Sequence, residues 1–124
     1  MAIIGFTGKG VLSSGGASGI GRFTADVFEA HGATVAVNDL DAKRVRDVIR
    51  ELGNRHVAAP GNVADEDAVI AMVETTKSKP GRIDVLVNYA GVSDTFESTL
   101  QQSVEHWQRI MDINLTGTYL PAER

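Results

Sequence analysis

A chain of 124 residues, 43% apolar and 23% charged, has room for one domain with one core. Its formal net charge is −4 with acids and bases interspersed, which argues against nucleic acid or an anionic membrane as a partner. With no cysteine, disulfides and thiolate metal sites are excluded; no apolar run approaches spanning length, no metal site is expected, and cytoplasmic is the default location.

The three histidines, His31, His56 and His106, lack metal-ligand spacing and read as surface residues near element ends. Residues 1–9 read as the segment leading into the first strand, with a short strand open as a reading for residues 2–6. A first strand is expected over residues 10–14, and it is the poorest in the chain. Gly10 and Ser13 stand where a buried parallel strand normally carries Val or Ile. A helix follows over residues 19–31, with Ile20, Phe23, Val27 and Ala30 on one face and Gly32 as its stop.

Residues 34–38 form a second short apolar strand, closed by Asp39. Asp41 is the expected N-cap of a helix whose inner stripe is Val45, Val48, Ile49 and Leu52. A third strand is expected over residues 56–60. The next helix starts near Asp65 with an acidic first turn and an inner face of Val69, Met72, Val73 and Thr76. After a Pro80-Gly81 turn, residues 83–87 are the most strongly β-like run. A loop follows over residues 92–99. A last helix begins near Gln102, with Val104, Trp107, Met111 and Asn114 on one face and Leu115 beside them; Trp107 and Met111 read most simply as core. The alternation of strands and helices predicts right-handed crossovers and an α/β, doubly wound parallel sheet in the order 3-2-1-4.

Gly15, Gly19 and Gly21 mark the corner between the first strand and the first helix. Such a corner presents backbone N–H groups to an anion at a helix N-terminus. Gly15 suits a tight turn, Gly19 lets a pyrophosphate approach the backbone, and Gly21 lets the helix pack closely. A dinucleotide site also requires an acid about twenty residues on, at the end of the second strand, to accept the ribose hydroxyls. Asp39, twenty residues after Gly19, stands there. A carboxylate repels a 2′-phosphate, and Leu40 beside it supplies no compensating charge, so NAD is preferred over NADP.

From these residues the chain resembles the classical short-chain dehydrogenases/reductases. Ser14-Gly15-Gly16-Ala17-Ser18-Gly19-Ile20-Gly21 looks like their glycine signature, and Asn88-Tyr89-Ala90-Gly91 like their Asn-Asn-Ala-Gly. Asn62-Val63 stands where the family usually has the Asp-Val that contacts adenine. The stretch 107–117 looks like its fourth helix, carrying Asn114 in the position of a catalytic-tetrad asparagine. The resemblance covers residues 8 to about 120. It implies a Rossmann-like domain over residues 1–124, comprising the amino-terminal half of the family's fold. Expected at the cofactor are Ser14, Gly15, Ser18, Gly19, Ile20, Gly21, Asp39, Leu40, Asn62, Val63, Asn88, Ala90 and Gly91, with Asn114 in a proton relay.

The sequence departs from the family pattern at several points. Ser14 replaces Thr and conserves the hydroxyl. Asn62 keeps an acceptor for an adenine amino group without the charge. Tyr89 replaces a small or amide residue. The family's serine and Tyr-x3-Lys are absent: four residues after Tyr89 and Tyr119 stand Ser93 and Glu123. In that chemistry the Tyr is the acid/base and the Lys lowers its pKa. The resemblance therefore implies NAD-dependent interconversion of an alcohol and a ketone for an enzyme that carries those residues. The 124-residue chain alone is expected to be inactive, and either marginally stable or self-associating through the exposed edge of the fourth strand. A non-catalytic dinucleotide-binding or interaction module of this length is the alternative.

Overall fold

The computed structural model describes residues 5–79, 81–91 and 103–123. Four parallel strands, Gly10–Ser14 (β1), Thr34–Val37 (β2), Val57–Ala58 (β3) and Val85–Asn88 (β4), pair in the order β3-β2-β1-β4, as the alternation predicts. Val11 of β1 lies beside Val35 on one side and Val85 on the other. Alternate residues feed two cores. Val11, Val35 and Val37 pack with Ala25, Val45 and Val48, beneath helices Gly19–Ala30 (α1) and Ala42–Leu52 (α2). Leu12, Ala36 and Val57 pack with Val69, Met72 and Val73 of helix Glu66–Lys77 (α3). A sheet buried on both faces is what parallel pairing with crossover helices requires.

β1 was expected to be weak, and it is instead one of the two interior strands, with all five residues buried. Pairing on both sides outweighs the low β-propensity of Gly10 and Ser13. Asp84 fixes the start of β1 against the segment leading into β4. Its carboxylate accepts from the Gly10 N–H and from Arg82 Nε, both at 2.8 Å. Arg82 first, and then that N–H, hold the Asp84 carboxyl below its ordinary range. β3 is shorter than expected: its ladder with β2 covers two residue pairs. Residues 1–4 and Pro80 lie outside the described residues. Phe6 is not in a strand; it packs edge-on against Phe28 of α1, with ring centroids 5.1 Å apart.

α2 and α3 follow their sequence patterns. Asp41 caps α2 by accepting from the Lys43 and Arg44 N–H groups, and Asp65 caps α3 by accepting from Ala68. Val45 and Val48 are buried, as are Val69, Met72, Val73 and Thr76. α1 does not follow its pattern. Ile20 and Phe23 are each 69% exposed and Val27 is 41% exposed, while the buried positions are Gly21, against the glycine turn, and Ala25, against the sheet. The small residues allow close approach, so the bulky stripe turns away from the sheet.

The last helix also turns differently. It begins as Val104–Met111 (α4), capped by Ser103, passes through a π-helical turn at Asp112–Thr116, and continues as Gly117–Glu123 (α5). The wider turn breaks the 3.6-residue spacing from Asp112 onward. Ile113, Gly117 and Pro121 are the buried positions. Trp107, expected in the core, is 53% exposed; Met111 is half-buried and Asn114 is exposed.

His56, expected at the surface, is 1% exposed. Its Nδ1 accepts from the Val35 N–H at 3.0 Å. Nε2 has no hydrogen-bond partner among the described residues and lies 3.9 Å from Glu29 Oε1. Burial, with the nearby Arg55, pushes the imidazole pKa below its ordinary value. The unfolded chain therefore takes up the proton first. Stability is complete above about pH 6.5 and falls as pH drops toward the lower folded-state value, by at most about 1.4 kcal/mol per pH unit. Urea unfolding between about pH 7 and pH 5 measures this. His56→Asn, which keeps an acceptor near Val35, is expected to flatten the dependence; an unchanged slope would contradict the assignment.

Candidate functional site

The carboxyl ends of the strands open into a cleft of about 320 Å³. Gly15, Ser18, Ile20 and Gly21 line it from the β1–α1 corner, Asp39 and Leu40 from beyond β2, Val63 from beyond β3, and Ala90 and Gly91 from beyond β4. This is the edge where doubly wound sheets take their ligands.

The corner is built from close backbone contacts. Gly15 has φ +63°, and a Cβ there would lie 2.6 Å from the Tyr89 carbonyl carbon and oxygen. Thus the turn passes directly over the segment after β4. A Cβ on Gly21 would lie 2.0 Å from the Gly15 carbonyl oxygen, so Gly21 packs against the turn itself rather than against the sheet. Gly19 has φ +58° but faces open space. Ser14 does not line the cleft. Its Oγ donates to the Val87 carbonyl and accepts from the Ala90 N–H, each at 3.3 Å, which ties β1 to the Ala90-Gly91 segment.

The start of α1 differs from the starts of α2, α3 and α4. Those are capped by Asp41, Asp65 and Ser103. At α1, Ser18 occupies the N-cap without a side-chain capping bond, and the first turn carries no acid. The positive end of this helix thus has no side-chain cap of its own. Asp39 sits across the cleft mouth. Its Oδ2 accepts from the Ala17 N–H at 3.2 Å and its Oδ1 from Leu40 at 2.9 Å, so the carboxylate is held in place beside the glycine corner.

Asn62, Asn88 and Asn114 do not line this cleft. Asn62 Oδ1 accepts from the Ala64 N–H at 2.9 Å in an Asx turn, and the residue borders an adjoining cavity with Asp65, Gln108 and Arg109. The acceptor expected for adenine is thus already engaged in the loop. Asn88 pairs with Ser14 in the sheet, and its Oδ1 is buried without a hydrogen-bond partner among the described residues. Asn114 Oδ1 comes 3.3 Å from where a Cβ on Gly91 would be, so the amide abuts the cleft wall. The expected loop over residues 92–99 lies outside the described residues. Asn38, Gly61 and Ile113 line the cleft without having been anticipated. For Asn38 a signal existed: an amide ends an otherwise apolar strand. For Ile113 there was none, because the π-helical turn brings it inward.

A family model described as enoyl-(acyl carrier protein) reductase matches residues 15–124. The chain belongs to the short-chain dehydrogenase/reductase family. Among curated relatives, it is 40% identical over 119 residues to a 3-oxoacyl-[acyl-carrier-protein] reductase of Synechocystis, covering 92% of this chain and 47% of that protein. It is 38% identical over 113 residues to a 3-hydroxyacyl-CoA dehydrogenase type-2 of Drosophila melanogaster, covering 87% and 44%. A crystal structure of 3-ketoacyl-(acyl-carrier-protein) reductase from Brucella melitensis complexed with NADH superposes with a TM-score of 0.92 at 33% identity, covering 95% of this chain and 48% of that one. The chain thus spans about half the length of these short-chain dehydrogenase/reductase relatives. Among the described residues no helix is long and apolar enough to cross a membrane.

Proposed function

We propose that this cleft binds NAD, with the pyrophosphate at the uncapped start of α1, around Ser18, Gly19, Ile20 and Gly21. The carrying observation is that α1 lacks the internal cap found at α2, α3 and α4, beside a carboxylate, Asp39, suited to a ribose diol. Leu40 and Val63 would flank the adenine, and Ala90 and Gly91 would lie along the path toward the nicotinamide. The NADH bound to the Brucella relative supports this reading. When bound, the cofactor supplies hydride transfer, and this chain's residues bind and orient it.

Catalysis is proposed for a polypeptide that also carries the serine and Tyr-x3-Lys, interconverting an alcohol and a ketone. Asn114 would then serve as a proton-relay residue near Gly91. The 124-residue chain lacks that acid/base pair, so we expect it to bind NADH without oxidising or reducing a carbonyl–alcohol couple. Calorimetric titration with NADH and NADPH, alongside an absorbance assay with acetoacetyl-CoA, tests both points. Saturable NADH binding without turnover is the expected result; turnover would overturn the inactivity and absence of binding would overturn the site.

Val85–Asn88 forms one edge of the described sheet and presents no Lys or Pro to discourage pairing. Self-association of the chain through this edge is expected, measured as a sedimentation coefficient that rises with concentration. A monomer at all concentrations would instead favour a self-sufficient binding module.

A further inference from the structure

Asn38 is 1% exposed and directly follows the last residue of β2, Val37. Its backbone joins the glycine corner: its N–H donates to the Ser13 carbonyl and its carbonyl accepts from the Gly16 N–H, both at 2.9 Å. Its side chain reaches the other way. Nδ2 donates to the Ala59 carbonyl at 2.9 Å and to the Gly61 carbonyl at 3.1 Å. Two carbonyl oxygens can be satisfied only by a donor, so the amide's orientation is fixed by its partners.

The β2–β3 ladder stops at the pair Val37–Ala58. Beyond it the chain runs on through Gly61 and Val63, which form one wall of the cleft. Two backbone bonds continue the attachment, from Ala59 N–H to Val37 and from Gly61 N–H to Asp39. The Asn38 amide binds the carbonyls of the same two residues. One buried side chain therefore holds that wall at a fixed distance from both the glycine corner and Asp39.

We propose that Asn38 is a positioning residue for the adenosine half of the cofactor, setting the spacing between the Gly61–Val63 wall and the Gly15–Gly21 corner. The proposal rests on the NAD reading above. Asn38 acts through the backbone it holds. The wall's two carbonyls need a donor opposite them, and an isosteric carboxylate would set a negative oxygen against them.

The test uses the full chain and ADP as the probe. Asn38→Asp is isosteric, and protonation of the new carboxyl returns one donor. Burial and the facing carbonyls raise its pKa, so the donor returns on acidification. The ratio of unaltered-chain to N38D affinity for ADP is expected to be about tenfold at about pH 8 and to shrink to about twofold near pH 5. Asn38→Ala removes both donors without adding a charge and is expected to weaken ADP binding by a similar factor at every pH. It also keeps the test open if N38D does not fold. A role confined to packing would give N38D a deficit independent of pH, or none, and either result overturns the assignment. ADP binding by N38A equal to that of the unaltered chain overturns it as well. Failure of the unaltered chain to bind ADP overturns the NAD reading and this assignment together, and is thereby distinguishable from failure of the assignment alone.

Discussion

Gly21→Ala is expected to cost about 3 kcal/mol of folding stability and to abolish detectable NADH binding. The added methyl would stand 2.0 Å from the Gly15 carbonyl oxygen and 2.8 Å from its carbon, and neither atom is a flexible side chain that could step aside. The turn would have to rise off the helix. Gly15 is itself pinned from the other side by the Tyr89–Ala90 backbone, so the displacement has nowhere to dissipate. Gly19→Ala supplies the contrast. No atom lies within 4 Å of its Cβ position, so the fold bears only the strain of a positive φ, about 1 kcal/mol. The methyl would instead occupy the space proposed for the pyrophosphate. Urea unfolding together with NADH titration separates the two. G21A should lose stability and binding, whereas G19A should lose binding with little change in stability. Full NADH affinity in G19A would contradict the assignment of the corner.

The second large effect is expected at Asp39. A carboxylate near a 2′-phosphate at about 4 Å costs between about 1 kcal/mol in water and about 4 kcal/mol at a partly screened site. The chain should therefore prefer NADH to NADPH by about tenfold or more. Asp39→Asn removes the charge and retains one acceptor oxygen. It should weaken NADH binding and strengthen NADPH binding, closing most of that gap. Because Asp39 Oδ2 also accepts from Ala17, some loss for both ligands is expected, and the diagnostic quantity is the ratio. An unchanged ratio would remove Asp39 from cofactor discrimination.

The parts of this fold legible in the sequence are those governed by local rules. α2 and α3 carry regular stripes and aspartate caps, and both formed where the spacing placed them. The proximity of Asp39 to the glycine corner was legible because their separation along the chain is set by one strand–helix–strand unit. What escaped depends on neighbours distant in sequence. β1 reads as weak in isolation, yet it is paired on both sides, and its small residues let Ser14 bridge to β4. His56 reads as a surface residue, but the N–H of Val35, twenty-one positions earlier, gives its ring a buried partner. The inner face of α1 escapes a reading in which bulk signals burial, because close approach selects small residues there, Gly21 against the glycine turn and Ala25 against the sheet. The π-helical turn at Asp112–Thr116 carries no sequence signal that distinguishes it from ordinary helix, and it turns Ile113 inward while Asn114 is exposed.

The most direct test of the site as a whole is a map of backbone amide shifts as NADH is added to the full chain. The largest changes are expected at Gly15, Ser18, Gly19 and Gly21, at Asp39 and Leu40, at Val63, and at Ala90 and Gly91. Changes concentrated elsewhere, for example around the exposed Trp107, or no saturable change at all, would contradict the proposed site.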